Sequence, residues 1–175
     1  MSLNSLEEIA TYIVSEGKGI LAADESNPTC GKRFDSIGVE STEANRRDYR
    51  EMLFRASGMQ DNIGGVILFD ETIRQSSKDG TSLVDIIKDQ GALPGIKVDK
   101  GLQPLNESSE EVVTQGLEGL NERCKEYVAL GARFTKWRAV MRIGEGMPSD
   151  ECIDANMKAL ADYAKVVQDN GMVPM

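Results

Sequence analysis

The chain has 175 residues, with 20 Lys and Arg against 29 Asp and Glu, a net charge of −9, three Cys and no His. A hydrophobic fraction of 40% supports a folded core rather than a disordered chain, and the length suggests about one domain. The negative charge argues against nucleic acid and against an anionic membrane as partners, because both require a basic surface. The absence of His excludes a Ser-His-Asp triad, an HExxH zinc site and an imidazole acid or base.

The predicted elements of the first part of the chain alternate between helices and short apolar strands. Ser5 and Glu8 form a candidate capping box for a first helix. A strand at 20–23 and a short helix at 31–37 follow. Thr42 then caps a longer helix, which has Tyr49, Met52, Leu53 and Ala56 on one face. The next predicted element is a strand at 63–69. This last strand is apolar throughout, which is typical of a strand buried on both faces of a sheet.

The second part of the chain repeats the same order. Its predicted strands are at 93–97 and 132–138, and a further strand starts at 171–175. A helix is predicted at 83–88, and a second helix has Leu120, Cys124, Tyr127 and Val128 on one face. A third helix is capped by Ser149, and its predicted inner face consists of Ile153, Met157, Leu160, Ala161 and Ala164. The repeated strand-then-helix order predicts an α/β fold with a parallel sheet. Four such units and the start of a fifth strand fit either an open doubly wound sheet or part of a (β/α)₈ barrel, which typically needs about 250 residues.

Targeting signals and disulfides are not indicated by the sequence. The first ten residues lack a basic stretch followed by an apolar run, and no apolar stretch approaches the roughly 20 residues needed to cross a bilayer. Cys30, Cys124 and Cys152 are widely spaced and odd in number, which favours reduced thiols over a disulfide framework. These features predict a cytoplasmic protein without a membrane partner.

Charged residues follow the predicted strands, where parallel α/β folds bind their ligands. Asp24 follows the first strand, and Lys97 and Asp99, like Lys136 and Arg138, are two residues apart and therefore share one face. Because a buried charge is costly unless it is paired or binds a ligand, these groups either pair at the rim of the sheet or bind an anion such as phosphate or carboxylate. A lysine beside another cation can also become a Schiff-base nucleophile, so a lysine–carboxylate mechanism is the simplest enzymatic interpretation.

Several motifs resemble, in the same order, those of class I (Schiff-base) fructose-bisphosphate aldolases. They are residues 19–26 (GILAADES), 63–69 with Glu71-Thr72, 95–101 (GIKVDKG), 114–117 (TQGL), 136–138 (KWR) with 143–145 (IGE), and 170–174 (NGMVP). The resemblance implies a TIM (β/α)₈ barrel, of which residues 1–175 would be the N-terminal part of a single catalytic domain, with the first four βα units and the start of the fifth strand. It implies a homo-oligomer, tetrameric in the family.

The same resemblance implies an activity and its residues. The expected reaction is reversible cleavage of fructose 1,6-bisphosphate to dihydroxyacetone phosphate and glyceraldehyde 3-phosphate in glycolysis and gluconeogenesis, through a lysine Schiff base and with no metal or other cofactor. Asp24 would assist proton transfer around carbon–carbon cleavage, and Lys136 would stabilise and help form the Schiff base. Substrate binding would fall to Ser26, Arg33, Arg46, Lys97 and Arg138.

The resemblance also marks what the chain lacks. In this family the Schiff-base lysine and a catalytic glutamate lie later than the position of Met175, so the 175-residue chain alone is expected to be inactive. One alternative is a non-catalytic half barrel that oligomerises or joins a complementary chain, because a half barrel exposes two sheet edges. A second alternative is a different enzyme of phosphorylated sugars in which Lys136 itself is the nucleophile.

Overall fold

A parallel sheet of five strands forms the centre of the computed structural model, which describes residues 3–107 and 109–175. The strands along the chain are β1 (Gly19–Ala23), β2 (Ile63–Leu68), β3 (Leu93–Lys97), β4 (Leu102–Pro104), β5 (Val112–Thr114), β6 (Phe134–Lys136) and β7 (Val173–Pro174). The parallel sheet has the order β1-β2-β3-β6-β7, while β4 and β5 form a separate antiparallel pair. The sheet therefore follows the order of the chain without the reversal that defines a doubly wound sheet.

Eight helices connect and flank these strands in the described residues. They are α1 (Leu6–Ile13), α2 (Asn27–Asp35), α3 (Glu43–Phe54), α4 (Met59–Asn62), α5 (Asp70–Ile73), α6 (Leu83–Asp89), α7 (Leu120–Ala129) and α8 (Asp150–Asp169). The predicted caps are confirmed: Ser5 and Glu8 form a reciprocal capping box, and the hydroxyls of Thr42 and Ser149 accept the backbone N–H three residues later. The predicted alternation of strands and helices is confirmed as an α/β fold with a parallel sheet.

Three local predictions differ from the structure. Helix α2 begins at Asn27 rather than at Gly31, because Pro28 is accommodated in its first turn, where no backbone N–H is needed. Strand β6 has three residues instead of the seven predicted. The short helices α4 and α5 and the β4–β5 pair were not predicted, because elements of three or four residues are too short to show a hydrophobic period.

The predicted inner face of α8 is confirmed in part, because Leu160 and Ala164 pack against the hydrophobic core, but it lies about one residue away from the buried face. The buried residues are Cys152, Asn156, Ala159, Tyr163 and Val167, whereas the predicted Ile153 and Met157 are 36% and 45% exposed. Polar contacts determine this orientation: Asn156 Nδ2 donates to Val112 O at 3.0 Å, and the Tyr163 and Thr135 hydroxyls lie 2.6 Å apart. Met52 of α3 and Val128 of α7 are likewise exposed, contrary to prediction.

The two faces of the sheet contact different cores. In β2, Val66 and Leu68 belong to the main core between sheet and helices, whereas Ile67 points to the other face and packs in a small cluster with Ile9, Ile13 and Phe134. On this second face β2 also carries Gly65, and a Cβ there would lie 3.0 Å from the Phe134 ring and 3.1 Å from Ile13 Cγ2. The glycine leaves room for helix α1 to pack on this face.

Cys30, Cys124 and Cys152 are free thiols, and all three are buried. Within residues 3–107 and 109–175, no helix combines the length and apolar character required to span a bilayer.

Candidate active site

An open cavity of about 990 Å³ lies where β1, β2, β3 and β6 end. Several of the side chains that line the cavity lie on the same face of the sheet as the smaller core, the cluster of Ile9, Ile13, Ile67 and Phe134. Along β6 this face holds Phe134, which packs in that core, and then Lys136, which lines the cavity as does Arg138 beyond the end of the strand. Along β3 the face holds Leu93 and then Lys97. The face therefore changes from apolar to charged in the direction of the strands, which places the charges together at one end.

Asp24 and Lys136 form a close ion pair in this cavity, although they are 112 positions apart in the chain. Lys136 Nζ donates to Asp24 Oδ2 at 2.6 Å. Asp24 is 9% exposed and the Lys136 side chain is 30% exposed. The carboxylate is thus withdrawn from solvent while the ammonium group remains accessible from the cavity.

Lys97 and Asp99 form a second ion pair beside the first. Lys97 Nζ donates to Asp99 Oδ1 at 2.6 Å and to the Asp99 carbonyl oxygen at 3.1 Å. The other carboxylate oxygen of Asp99 accepts the Arg138 backbone N–H at 3.4 Å. Since Lys97 and Lys136 are direct partners in the β3–β6 register, the two ammonium groups sit on neighbouring strands. The exposed Arg138 side chain extends the same lining.

The turn after β1 supplies another part of the wall. The hydroxyls of Ser26 and Thr29 lie 3.1 Å apart, and both residues line the cavity. The Arg33 guanidinium contacts the Glu25 carboxylate and donates to the Tyr49 hydroxyl at 2.9 Å. With 56% of its side chain exposed, Arg33 can still present donors to a bound anion.

Arg46 is the one predicted site residue that does not line the cavity. Its Nε and Nη2 atoms donate to the two carboxylate oxygens of Glu71 at 2.8 and 2.6 Å, and Nη1 donates to the Ser41 carbonyl oxygen at 2.6 Å. This hydrogen-bonded pair raises the pKa of Arg46 and lowers that of Glu71. A substrate-binding role for Arg46 stays a prediction, and its guanidinium is already committed to Glu71.

Sequence reasoning missed the wall formed by α5 and α7. Arg74 pairs with Asp70 at 2.8 Å and with Glu126, and the Tyr127 hydroxyl donates to Asp70 at 2.9 Å. Burial, with the Asp70 contact, raises the pKa of Tyr127 to about 12. A usable signal existed, because Arg123, Glu126 and Tyr127 are three and four positions apart and so share one face of a predicted helix.

Comparison with known proteins identifies the family. The family model described as fructose-bisphosphate aldolase class-I matches residues 5–175. The chain belongs to the class I fructose-bisphosphate aldolase family. The recognition made from its motifs is therefore confirmed.

Individual class I aldolases show how much of the protein is matched. The probable fructose-bisphosphate aldolase class 1 of Xanthomonas campestris is 55% identical over 175 residues, which are 100% of this chain and 52% of that protein. The fructose-bisphosphate aldolase C-A of Danio rerio is 56% identical over 171 residues, covering 97% of this chain and 47% of the relative. The chain thus spans about half the length of these curated relatives.

A solved aldolase structure has the same fold. It is the fructose-bisphosphate aldolase of Plasmodium falciparum, crystallised as a ternary complex with TRAP and a small-molecule inhibitor. The two structures match with a TM-score of 0.94 and 44% sequence identity, and the match covers 99% of this chain and 54% of the Plasmodium chain. The strand order described above is therefore that of an aldolase fold.

Proposed function

We propose that residues 1–175 form the N-terminal part of a single (β/α)₈-barrel catalytic domain, with the first four βα units and the start of the fifth strand. The unreversed parallel order β1-β2-β3-β6-β7 supports this assignment, because neighbours along the chain are neighbours around such a barrel. The charged cavity supports it as well, since active sites in this fold lie at the carboxyl ends of the strands.

The proposed reaction is reversible cleavage of fructose 1,6-bisphosphate to dihydroxyacetone phosphate and glyceraldehyde 3-phosphate, in cytoplasmic glycolysis and gluconeogenesis. It proceeds through a Schiff base on a lysine outside this chain and uses no metal. The proposal follows from membership of the family and from relatives that carry its name, one of them the cytosolic aldolase 6 of Arabidopsis thaliana.

The observation that carries the proposal is the Asp24–Lys136 pair at 2.6 Å in a cationic cavity. Seven Lys and Arg but only five Asp and Glu line this cavity, in a chain whose net charge is −9. An excess of cations in a cleft of an acidic protein attracts a doubly phosphorylated sugar to that cleft. There Asp24 can exchange a proton with the substrate, while Lys136 supplies positive charge beside the reacting carbonyl.

The remaining predicted residues are assigned to binding. Lys97, Arg138 and Arg33 present cationic donors to phosphate or sugar oxygens, and Ser26 presents a hydroxyl. Arg46 would act at the substrate only after releasing Glu71.

The test combines this chain with a polypeptide that covers the remaining length of the Xanthomonas relative. Fructose 1,6-bisphosphate cleavage is expected from the mixture and not from the chain alone. Borohydride reduction with dihydroxyacetone phosphate is expected to label the added polypeptide. Asp24→Asn should lower kcat by about 100-fold or more, the usual contribution of a proton-transferring group. The matched control is Asp162→Asn, which alters an exposed carboxylate paired with Lys158 on α8 and should leave kcat unchanged.

Two outcomes would replace the proposal. Borohydride labelling of Lys136 in the chain alone would identify Lys136 as the nucleophile of a different phosphorylated-sugar enzyme. A stable complex without turnover would favour the non-catalytic half barrel.

A further inference from the structure

One cation lies directly behind the proposed catalytic carboxylate. Arg50, on α3, is 2% exposed, and among residues 3–107 and 109–175 it is the only buried Lys or Arg. It does not line the cavity and cannot reach a ligand there. We propose that Arg50 is a positioning residue that holds the end of β1 so that Asp24 stays paired with Lys136.

The contacts of Arg50 bracket Asp24 on both sides. Its Nε donates to the Ala23 carbonyl oxygen at 2.8 Å, and its Nη2 donates to the Glu25 carbonyl oxygen at 2.7 Å. These are the residues immediately before and after Asp24. A guanidinium has rigid, planar geometry, so two donors on one plane fix the relative orientation of the two peptide groups.

The rest of the guanidinium is fixed as well. Nη2 lies 3.0 Å from Glu25 Oε2, and Nη1 donates to the Cys30 sulfur at 3.0 Å. Glu25 is also held by the Tyr49 hydroxyl at 3.1 Å. Arg50 therefore has one fixed position, and the carbonyl groups that it binds have fixed positions too.

An arginine at position 50 is better explained by the orientation of the backbone that it binds than by the space that it fills. A buried ion pair is often no more stabilising than well-packed apolar side chains of similar volume, because desolvation offsets the attraction. A methionine would fill the space behind β1 but would remove the Arg50 donors from both carbonyl groups. The Glu25 carbonyl oxygen would then keep only its long contact with the Cys30 thiol, at 4.0 Å. The backbone around Asp24 would then be held only by the end of β1, and the 2.6 Å contact with Lys136 would loosen. The consequence for catalysis rests on the proposed function, whereas the geometric claim does not.

Competitive labelling of lysines by acetic anhydride tests the geometry in the full chain without substrate. The Lys136 nitrogen must leave Asp24 and give up a proton to solvent before its lone pair can attack the anhydride. In Arg50→Lys, which keeps the charge and loses the planar fork, we expect labelling of Lys136 to rise about threefold or more, as for a weakened ion pair. Lys97, which pairs with Asp99, should change by less than twofold. The matched control is Arg47→Lys on the same helix, where Arg47 contacts Asp48 and no change is expected.

A double variant separates positioning from general loosening. Asp24→Asn should raise Lys136 labelling like Arg50→Lys, and the double variant should show no further rise, because both changes remove the same contact. Additive effects, or equal increases at Lys136 and Lys97, would overturn the proposal.

A measurement on the unaltered chain covers the case in which Arg50→Lys fails to fold. The Nε–H of Arg50 should exchange with solvent far more slowly than that of Arg47, as seen by ¹⁵N NMR. Equal exchange rates would overturn the proposal. In the active mixture, Arg50→Lys should lower kcat about 10- to 100-fold with a smaller change in KM. Absence of cleavage in the unaltered mixture would contradict the proposed function and leave the labelling result intact.

Discussion

Gly95 is a residue at which the sheet depends directly on the absence of a side chain. It sits in β3 beside Phe134 of β6, its register partner. A Cβ at Gly95 would lie 2.3 Å from the Phe134 ring, a distance that requires the ring or the strand to move. The ring thus occupies the space that a side chain on β3 would need, and it closes the small core under the cavity.

Gly95→Ala is therefore expected to destabilise the protein by about 1–3 kcal/mol, as overpacking does in well-packed cores. Urea unfolding followed by circular dichroism measures this change. Gly19→Ala is the control, because the nearest atom to its Cβ would be 3.9 Å away, and no loss is expected. Phe134→Leu added to Gly95→Ala should restore part of the loss. Equal effects of the two alanine variants would contradict this view of the core.

Helix α8 is anchored at its start by contacts of Ser149 with Glu111, the residue that precedes β5. The Ser149 hydroxyl accepts the Cys152 N–H at 3.2 Å and donates to Glu111 Oε2 at 2.5 Å, while the Ser149 N–H donates to Glu111 Oε1 at 2.8 Å. These hydrogen bonds lower the pKa of Glu111. The cap is therefore built for a hydroxyl, which can both accept and donate.

Thr42, which caps α3, and Ser149, which caps α8, should therefore respond differently to substitution by aspartate, although aspartate is a good N-cap residue in general. Thr42→Asp at α3 should stay within about 0.5 kcal/mol of the parent stability. Ser149→Ala should cost about 1 kcal/mol, and Ser149→Asp should cost no less, because its carboxylate would face Glu111. Thermal unfolding at pH 7 measures these changes. Adding Glu111→Gln to Ser149→Asp should restore part of the lost stability, because it removes the facing negative charge. A Ser149→Asp variant that is more stable than the parent protein would contradict the prediction.

The Arg46–Glu71 pair joins α3 to α5 and predicts a pH dependence of stability. Because the Arg46 hydrogen bonds lower the pKa of Glu71 below its usual 4.5, the pair stabilises the folded state fully above that value. Its contribution is lost as the pH falls through the lowered pKa. Glu71→Gln should therefore be less stable by about 1 kcal/mol at pH 7 and should lose less stability between pH 5 and pH 3 than the parent.

Urea unfolding at several pH values measures this effect. Arg46→Met should likewise weaken the dependence of stability on pH between pH 5 and pH 3, because Arg46 lowers the pKa of Glu71. Combining Arg46→Met with Glu71→Gln should change this pH dependence no further than either single variant does. An unchanged slope in both single variants would show that the pair does not contribute.

At the scale of the whole molecule, the sheet has two outer strands. Within the described residues, β1 pairs only with β2, and β7 pairs only with β6. An open strand edge offers unpaired N–H and C=O groups to another chain. The small core on the cavity side is also only partly covered, since Ile20, Leu93 and Val173 remain half-buried.

We therefore expect the chain alone to self-associate at micromolar concentrations. The complementary aldolase polypeptide should convert it to one defined complex with equal numbers of the two polypeptides, because both edges then gain partners. Sedimentation velocity over a concentration series distinguishes these states, with an unrelated acidic protein as the control addition. A chain that stays monomeric and ignores the complementary polypeptide would contradict the expectation.

Short-range patterns in the sequence were sufficient for much of the structure. The caps at Ser5, Thr42 and Ser149, the long apolar strand at 63–69 and the aldolase motifs all depend on residues within a few positions of each other. Such patterns reflect local hydrogen bonding and hydrophobic period, so they can be read without knowing which elements touch.

The tertiary structure alone decided the features that depend on distant partners. Periodicity left the doubly wound sheet and the barrel order open, and only strand pairing showed the unreversed order. The buried face of α8 follows from Asn156 and Tyr163 bonding to strands, and Arg46 is drawn away from the cavity by Glu71. Arg50 gains its proposed importance from carbonyl groups 25 and 27 positions away. The physical reason is common to all four: a side chain's energy is set by what folding brings beside it, and that neighbour is not encoded in its local sequence.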